Sequence, residues 1–191
     1  MPEASEAQSV ALVIFGAAGD LTWRKLMPAL YDLFKDNFVP ENFAIIGVDL
    51  KDMELDDWAE HLRDGINQFS RRCEADEESW ETFRSFLTAF ISGDFTEEDI
   101  YDSIHEKLQT LDDQWETEAT WILYQATPPS IVPPLIDNLQ KAEMVGDRVR
   151  IVMEKPFGHD LESARELNKL LTGVFDEEQI FRIDHYLGKE T

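Results

Sequence analysis

The strongest constraint on the fold of this chain is a regular alternation of short apolar runs with longer segments of helical periodicity. The first apolar run, Val10–Phe15, enters a turn of small residues, Gly16-Ala-Ala-Gly19, and apolar residues at helical spacing follow it. Short apolar runs bounded by turn residues predict buried strands. The predicted strands are Val10–Phe15, Phe43–Val48, Ala89–Ser92, Thr120–Gln125, Val149–Met153 and Gln179–Ile183.

Helical patterns separate these strands. After a first helix from Leu21 to Phe34, the predicted helices are Leu55–Phe69, Ser79–Phe90, Thr96–Leu111, Ile131–Met144 and Leu161–Leu171. Thr96-Glu-Glu-Asp99 resembles a capping box. Strands that alternate with helices form a parallel sheet covered by helices on both faces. The whole chain, residues 1–191, is therefore predicted to be one doubly wound α/β domain with a mostly parallel, Rossmann-type sheet.

The chain is strongly acidic, with a formal net charge of −23, of which residues 52–118 contribute −16. Two interpretations remain open: solvated helix faces, or a surface adapted to high salt. So negative a field disfavours binding to nucleic acid and to anionic membranes. An anionic ligand would therefore need a local pocket built from the basic residues near the two ends of the chain.

The sequence also indicates in which cellular compartment the protein is expected. Cys73 is the only cysteine, so neither a disulfide framework nor a cysteine-based metal site is expected. No apolar run approaches the ~20 residues that span a bilayer. The acidic N-terminus lacks the basic and apolar regions of a secretory signal. These features favour a cytoplasmic protein without a metal.

The turn after the first strand is a candidate phosphate site. Gly16-x-x-Gly19 lies between a strand and a helix, where a dinucleotide pyrophosphate would meet helix N-terminal amides. The spacing is not the usual G-x-G-x-x-G, so the turn alone fits a plain strand-to-helix connection equally well. Arg24 and Lys25 follow, where the helix dipole disfavours cations unless an anion is present. Pro28 predicts a kink that frees the Arg24 carbonyl.

The end of the chain holds its densest set of reactive groups. Asp184 to Lys189 supplies a carboxylate, an imidazole, a phenol and an ammonium. Lysine and histidine donate to phosphate, tyrosine adds a hydroxyl, and aspartate can orient a base. The segment predicts part of a site for an anionic substrate.

Three motifs together resemble the glucose-6-phosphate dehydrogenase family. They are Gly16-Ala-Ala-Gly-Asp-Leu-Thr-Trp-Arg-Lys-Leu-Met-Pro28, Glu154-Lys-Pro-Phe-Gly158 and Arg182-Ile-Asp-His-Tyr-Leu-Gly-Lys-Glu190. Their order and approximate separations are those of the family, and they span nearly the whole chain. Family members are considerably longer, with a large α+β substrate and oligomerisation domain after this point. The resemblance implies a coenzyme domain that ends at the substrate signature.

The resemblance implies hydride transfer from C1 of glucose 6-phosphate to NAD(P), which gives 6-phosphogluconolactone in the first step of the pentose phosphate pathway. It implies that Asp184 orients the catalytic histidine, and that Lys155 precedes a Pro156 in a cis bond. The residues implied to bind the substrate are His185, Tyr186, Lys189, Lys155 and Lys25.

The same resemblance implies NADP or NAD as coenzyme. The implied contacts are Gly16, Ala17, Ala18, Gly19, Asp20, Leu21, Lys25, Asp49, Lys51, Asp94 and Lys155. Asp94 could equally be a residue that starts the next helix.

The second strand bears on the choice of coenzyme. Family members that prefer NADP usually carry an arginine just after this strand, where Leu50 stands here. Asp49 suits the two hydroxyls of an NAD ribose and would repel a 2′-phosphate, although Lys51 could partly compensate. Capping of the following loop is the alternative role of Asp49. We expect NAD to be used at least as well as NADP.

The general base has no candidate in the chain. The resemblance places that histidine beyond Thr191, while His61 and His105 lie on acidic helices and are expected to face solvent. The fragment is expected to bind coenzyme and part of the substrate without turnover, and the full-length enzyme to be a homo-oligomer. One alternative is a non-catalytic nucleotide-binding module. Another, weaker alternative is a sugar-nucleotide oxidoreductase that shares only the fold.

Overall fold

The computed structural model describes residues 9–72, 74–155, 158 and 160–183, and within them six strands form one sheet. The strands are β1 Val10–Phe15, β2 Phe43–Asp49, β3 Leu87–Ser92, β4 Thr120–Gln125, β5 Val149–Glu154 and β6 Ile180–Ile183. All neighbouring pairs are parallel, in the order β3-β2-β1-β4-β5-β6. The order reverses between β1 and β4, which confirms the predicted doubly wound fold.

Helices cover both faces of this sheet. They are α1 Met27–Lys35, α2 Leu55–Phe69, α3 Glu77–Arg84, α4 Asp99–Trp115, α5 Val132–Lys141 and α6 Leu161–Thr172. The first three pack on one face and the last three on the other, so the molecule has two cores. None of the described helices is long and apolar enough to cross a membrane.

The central strand β1 shows why the sequence forms this layered structure. Ala11, Val13 and Phe15 point into one core, while Leu12 and Ile14 point into the other. Alternate residues of a strand face opposite sides, so a strand covered on both sides needs an unbroken apolar run.

Most predicted strands and helices are confirmed, and two local predictions are wrong. The helix predicted over Ser79–Phe90 ends at Arg84, because Leu87 already pairs with Ile45 of β2 as part of β3. The capping box at residues 96–99 is absent from this described region. The N–H and hydroxyl of Thr96 both donate to Asp94 Oδ1, at 2.8 Å each, and α4 begins at Asp99.

The helix after β1 begins irregularly, as Pro28 predicts. A π-helical turn over Thr22–Leu26 runs directly into α1, and the Met27 N–H donates to the Thr22 carbonyl, five residues earlier. Proline has no N–H to offer to the fourth carbonyl before it, here that of Arg24. The π-helical turn ends two residues before Pro28, so the irregularity lies where the kink was expected.

Trp58 of α2 connects this helix to the turn after β1. The indole is fully buried, and its Nε1 donates to the Ala17 carbonyl at 3.0 Å. Its ring lies over Gly47 of β2, where a Cβ would come within 2.8 Å of the indole carbons. Gly47 therefore leaves the space that the indole needs to reach the turn.

Trp58→Phe should lower the free energy of unfolding by roughly 2–3 kcal/mol, because it leaves a cavity and deprives the buried Ala17 carbonyl of its donor. Urea denaturation followed by circular dichroism measures this change. The control is Trp115→Phe at the half-buried end of α4, which should cost less than about 1 kcal/mol. Equal losses in the two variants would contradict the role given to Trp58.

Candidate functional site

The carboxyl ends of the strands meet at one edge of the sheet, because all of them are parallel. Gly16 follows β1 there, Asp49 ends β2, Gln125 ends β4 and Glu154 ends β5. Phe15 is in register with both Val48 and Gln125, so these ends are adjacent. Doubly wound sheets bind ligands at this edge, where the strand order reverses.

The turn after β1 is held tight by Gly16. Its φ is +90°, and a Cβ there would lie 2.7 Å from the Ala126 carbonyl oxygen, so both conformation and space require glycine. The Gly16 carbonyl accepts the Gly19 N–H at 3.1 Å and the hydroxyl of the fully buried Thr22 at 3.0 Å. The turn therefore leads directly into a helix start, whose N–H groups lack intrahelical partners.

The outer side of this turn is open. Among the described residues, a Cβ on Gly19 would meet only the Gly16 carbonyl oxygen, 3.1 Å away. Ala18 is half-buried and Ala17 is fully buried, with small side chains that leave the backbone accessible from one side. The N–H groups of the turn itself already donate to protein oxygens: those of Gly16 and Ala17 to the Val48 carbonyl, that of Ala18 to Asp49 and that of Gly19 to Gly16. A pyrophosphate at this open turn would therefore bind N–H groups of the helix start that follows it.

Asp49 accepts a hydrogen bond through each carboxylate oxygen, one from the turn after β1 and one from its own following loop. Oδ2 accepts the Ala18 N–H at 2.8 Å, and Oδ1 accepts the Lys51 N–H at 3.1 Å. The second bond is the loop cap considered in the sequence analysis. A carboxylate has about four lone-pair sites, so these two bonds leave acceptor capacity for a ribose hydroxyl.

Three other predicted contacts lie on exposed surface near this edge. Asp20 forms an ion pair with Arg24 at 3.7 Å, so that cation has a protein partner and does not by itself indicate an external anion. Lys51 is exposed. The hydrogen bonds from Thr96 lower the pKa of Asp94, first through its N–H and then through its hydroxyl. These bonds support a role for Asp94 in the turn before α4.

A cleft of about 110 Å³ opens at the ends of β4 and β5, and we call it the β4–β5 cleft. The residues that line it are Leu21, Gln125, Ala126, Thr127, Pro129, Val132, Met153, Glu154, Lys155 and Leu167. The structure thus brings together Leu21 and Lys155, which the sequence assigns to coenzyme binding from separate motifs. The Lys155 N–H also donates to the Ile183 carbonyl at 3.1 Å, which ties the end of β6 to the rim of this cleft.

Lys25 lies elsewhere. It is exposed on the π-helical turn and lines a separate surface depression of about 460 Å³ with Arg24, Asp32 and Arg71. Lys25 and Lys155, both predicted to lie near substrate and coenzyme, therefore do not share one cavity among those formed by the described residues.

Several predicted residues lie outside the part of the chain that the structure describes. They are Asp184, His185, Tyr186, Lys189 and Pro156. The prediction that His61 and His105 face solvent is wrong, because both are half-buried. His61 is half-buried and stacks on Trp23 at 5.6 Å between ring centroids, and His105 packs edge-on against Trp121. Neither simply faces solvent.

The sequence analysis missed a contact behind the β4–β5 cleft, made by Tyr124 of β4 to Glu154, which lines the cleft. The Tyr124 hydroxyl donates to Glu154 Oε1, beside Lys155, on the opposite face of β4 from Gln125. Burial, followed by the hydrogen bond and charge of Glu154, raises the pKa of Tyr124 well above its ordinary value. The sequence around Tyr124 gives no indication of this hydrogen bond, because its partner Glu154 is 30 residues away.

The chain is similar in sequence to proteins of one known family. A family model described as "Glucose-6-phosphate dehydrogenase, NAD binding domain" matches residues 13–191. The "Glucose-6-phosphate 1-dehydrogenase 2" of Mycobacterium tuberculosis is 39% identical over 184 residues, which are 94% of this chain and 35% of that protein.

Two solved structures are also similar. A glucose-6-phosphate 1-dehydrogenase from Mycobacterium avium gives a TM-score of 0.81 at 37% identity, over 94% of this chain and 37% of that one. A glucose-6-phosphate dehydrogenase solved with its substrate glucose 6-phosphate gives 0.83 at 30% identity, over 97% and 39%. The chain thus spans little more than a third of the length of these relatives.

Tyr101 and Tyr124, two of the buried tyrosines, should ionise only when the protein unfolds, because burial raises the pKa of both. Stability should fall as the pH rises above about 10, where an unfolded tyrosine loses its proton and the folded one does not. Absorbance of tyrosinate during an alkaline titration measures this. Tyr124→Phe should remove part of the absorbance increase that accompanies unfolding, and Tyr101→Phe, the matched variant, should do the same. Loss, instead, of the absorbance that appears at about pH 10 in the folded protein would contradict the assignment.

Proposed function

The chain belongs to the glucose-6-phosphate dehydrogenase family, and on that basis we propose that it is the coenzyme-binding part of an NAD(P)-dependent glucose-6-phosphate dehydrogenase. The observation that carries the proposal is the open Gly16–Gly19 turn at the point where the strand order reverses. The proposed reaction moves a hydride from C1 of glucose 6-phosphate to the nicotinamide and gives 6-phosphogluconolactone.

The coenzyme is proposed to lie along the carboxyl edge of the sheet. Its pyrophosphate would lie over the open Gly16–Gly19 turn and bind the backbone N–H groups of Asp20 and Leu21 at the helix start. Its adenosine half would lie toward β2 and β3, near Asp49, Lys51 and Asp94. Its nicotinamide half would lie toward the β4–β5 cleft, lined by Leu21 and Lys155.

The bound coenzyme would supply the hydride acceptor, and the protein would position the reactants and balance charge. We propose that Lys155 and Lys25 provide positive charge for the two phosphorylated ligands in a protein of net charge −23. His185, Tyr186 and Lys189 would hold the sugar phosphate, and Asp184 would orient the base. Neither His61 nor His105 lines the β4–β5 cleft, so neither described histidine is proposed as that base.

NAD is proposed to be accepted at least as well as NADP. Asp49 is fixed by two backbone N–H groups at the strand end where a ribose would lie. Leu50, at the position where an arginine would meet a 2′-phosphate, is 62% exposed and offers no charge. A carboxylate without an adjacent guanidinium favours the coenzyme that has two free hydroxyls.

The second candidate is a nucleotide-binding module without activity of its own. It is favoured by the two described histidines, His61 and His105, neither of which lines the β4–β5 cleft. Incubation with glucose 6-phosphate and NAD or NADP, followed by NAD(P)H absorbance, separates the two: turnover by the chain alone would exclude the module. A cytoplasmic location and a homo-oligomeric full-length enzyme remain proposals that follow from family membership.

Gly19→Val should weaken NAD binding more than tenfold, because its side chain occupies the open outer side of the turn where a phosphate would approach the backbone. Isothermal titration calorimetry of NAD measures the dissociation constant. Ala29→Val, a similar addition of bulk on the exposed side of α1, should leave binding unchanged. If the chain bound no coenzyme, or if Gly19→Val bound it normally, the proposed site would be wrong.

Leu50→Arg should strengthen NADP binding relative to NAD by about tenfold, since one charge-assisted hydrogen bond to the 2′-phosphate is worth at least ~1.4 kcal/mol. The ratio of the two dissociation constants is the measurement. Leu161→Arg, at an exposed leucine of α6, is the matched control and should not change this ratio. An unchanged ratio in Leu50→Arg, or a strong preference of the wild-type chain for NADP, would refute the assignment.

A further inference from the structure

The side-chain amide of Gln125 is buried, and one of its two polar atoms has no hydrogen-bond partner among the described residues. The residue is 3% exposed, and its Nε2 donates to the Thr127 hydroxyl. Its Oε1 is the atom without a partner in the described part of the chain. Exchange of the amide nitrogen and oxygen would not remove the problem, because the end that does not meet Thr127 would still be unpaired. A buried polar atom without a partner is costly, so such atoms point to a missing ligand or water.

The position of Gln125 narrows the choice of ligand. It is the last residue of β4 and lines the β4–β5 cleft, next to Met153 of β5 in the sheet register. Apolar side chains, those of Val132, Met153 and Leu167, form much of the same wall. A ligand that fits here is a flat, mainly apolar group that carries a polar group able to pair with an amide.

We propose that Gln125 binds the carboxamide of the nicotinamide ring and thereby fixes the orientation of that ring in the cleft. The proposal rests on the proposed function, in which the adenosine half lies toward β2 and leaves the nicotinamide half for the ends of β4 and β5. A carboxamide has two N–H donors and one carbonyl acceptor, so it can pair with Gln125 in either orientation of the side-chain amide. Gln125 is thus a positioning residue: it selects which face of the ring meets the substrate.

A chemical comparison of ligands tests this pairing. Gln125→Met keeps the length of the side chain and removes the amide. It should weaken NAD binding about tenfold, the worth of one hydrogen bond of ~1.4 kcal/mol. The same variant should bind ADP-ribose, which lacks the nicotinamide ring, within twofold of the wild type. Gln109→Met, the same change at an exposed glutamine of α4, should alter neither constant.

A second ligand identifies the interacting group. In 3-acetylpyridine adenine dinucleotide a methyl group replaces the carboxamide NH₂. If the nicotinamide NH₂ donates to Gln125, the wild-type chain should bind this analogue about tenfold more weakly than NAD, and Gln125→Met should bind the two equally well. Equal losses of NAD and ADP-ribose in Gln125→Met, or no loss of either, would overturn the proposal.

Stability without ligand distinguishes positioning from a purely structural role. Gln125→Met removes an unpaired buried atom, so the denaturation midpoint of the ligand-free chain should stay the same or rise. A lower midpoint, with unchanged relative affinities for NAD, ADP-ribose and the acetylpyridine analogue, would mean that Gln125 stabilises the fold, for example through a bound water. That result would overturn the proposal. Wild-type protein that binds neither NAD nor ADP-ribose would instead overturn the proposed function itself.

Discussion

The carboxylate of Asp49 accepts hydrogen bonds from the backbone of Ala18, 31 residues earlier in the chain, and from Lys51, two residues later. The Asp49 carbonyl in turn accepts the Gly93 N–H at 2.9 Å, just after β3. One residue therefore fixes the relative positions of three strand ends. The turn after β1 can remain short and open because its conformation is held from β2 by this carboxylate and from α2 by the Trp58 indole. The site edge is thus organised by contacts between elements and not by the turn sequence alone.

The sequence was sufficient for the layers of the fold and for the position of the Gly16–Gly19 turn between β1 and the first helix. Strands buried on both faces require unbroken apolar runs, so β1 and β4 have the predicted limits. The boundary between α3 and β3 was mistaken because residues 85–90 suit either structure, and only pairing with β2 decides between them. Thr22, Tyr124 and Gln125 were missed for a related reason. Their structural features, namely the Thr22 bond to the Gly16 carbonyl, the Tyr124 bond to Glu154 and the unpaired Gln125 Oε1, depend on the folded backbone, and their local sequences carry no sign of them.

The acidic character of the chain is expressed at its surface. Several described ion pairs between distant parts of the chain, such as Arg84–Asp56 and Lys141–Glu98, lie between exposed side chains, whereas Arg148–Asp112 is largely covered. Exposed pairs of this kind contribute little to stability. The carboxylates therefore act mainly on solubility and on the field around the protein. In so negative a field an anionic ligand is attracted only where positive charge is local, and this is the basis of the role proposed for Lys25 and Lys155.

The π-helical turn before α1 has a geometrical consequence. A hydrogen bond that spans five residues accommodates one more residue in the turn than an α-helix does. Side chains before and after the turn are therefore out of the phase that an uninterrupted α-helix would impose on them. Leu21 can line the β4–β5 cleft while Met27 and Tyr31 are buried against the sheet. The π-helical turn thus rotates the residues before it relative to those after it. The start of the helix can face the cleft while its body packs against the sheet.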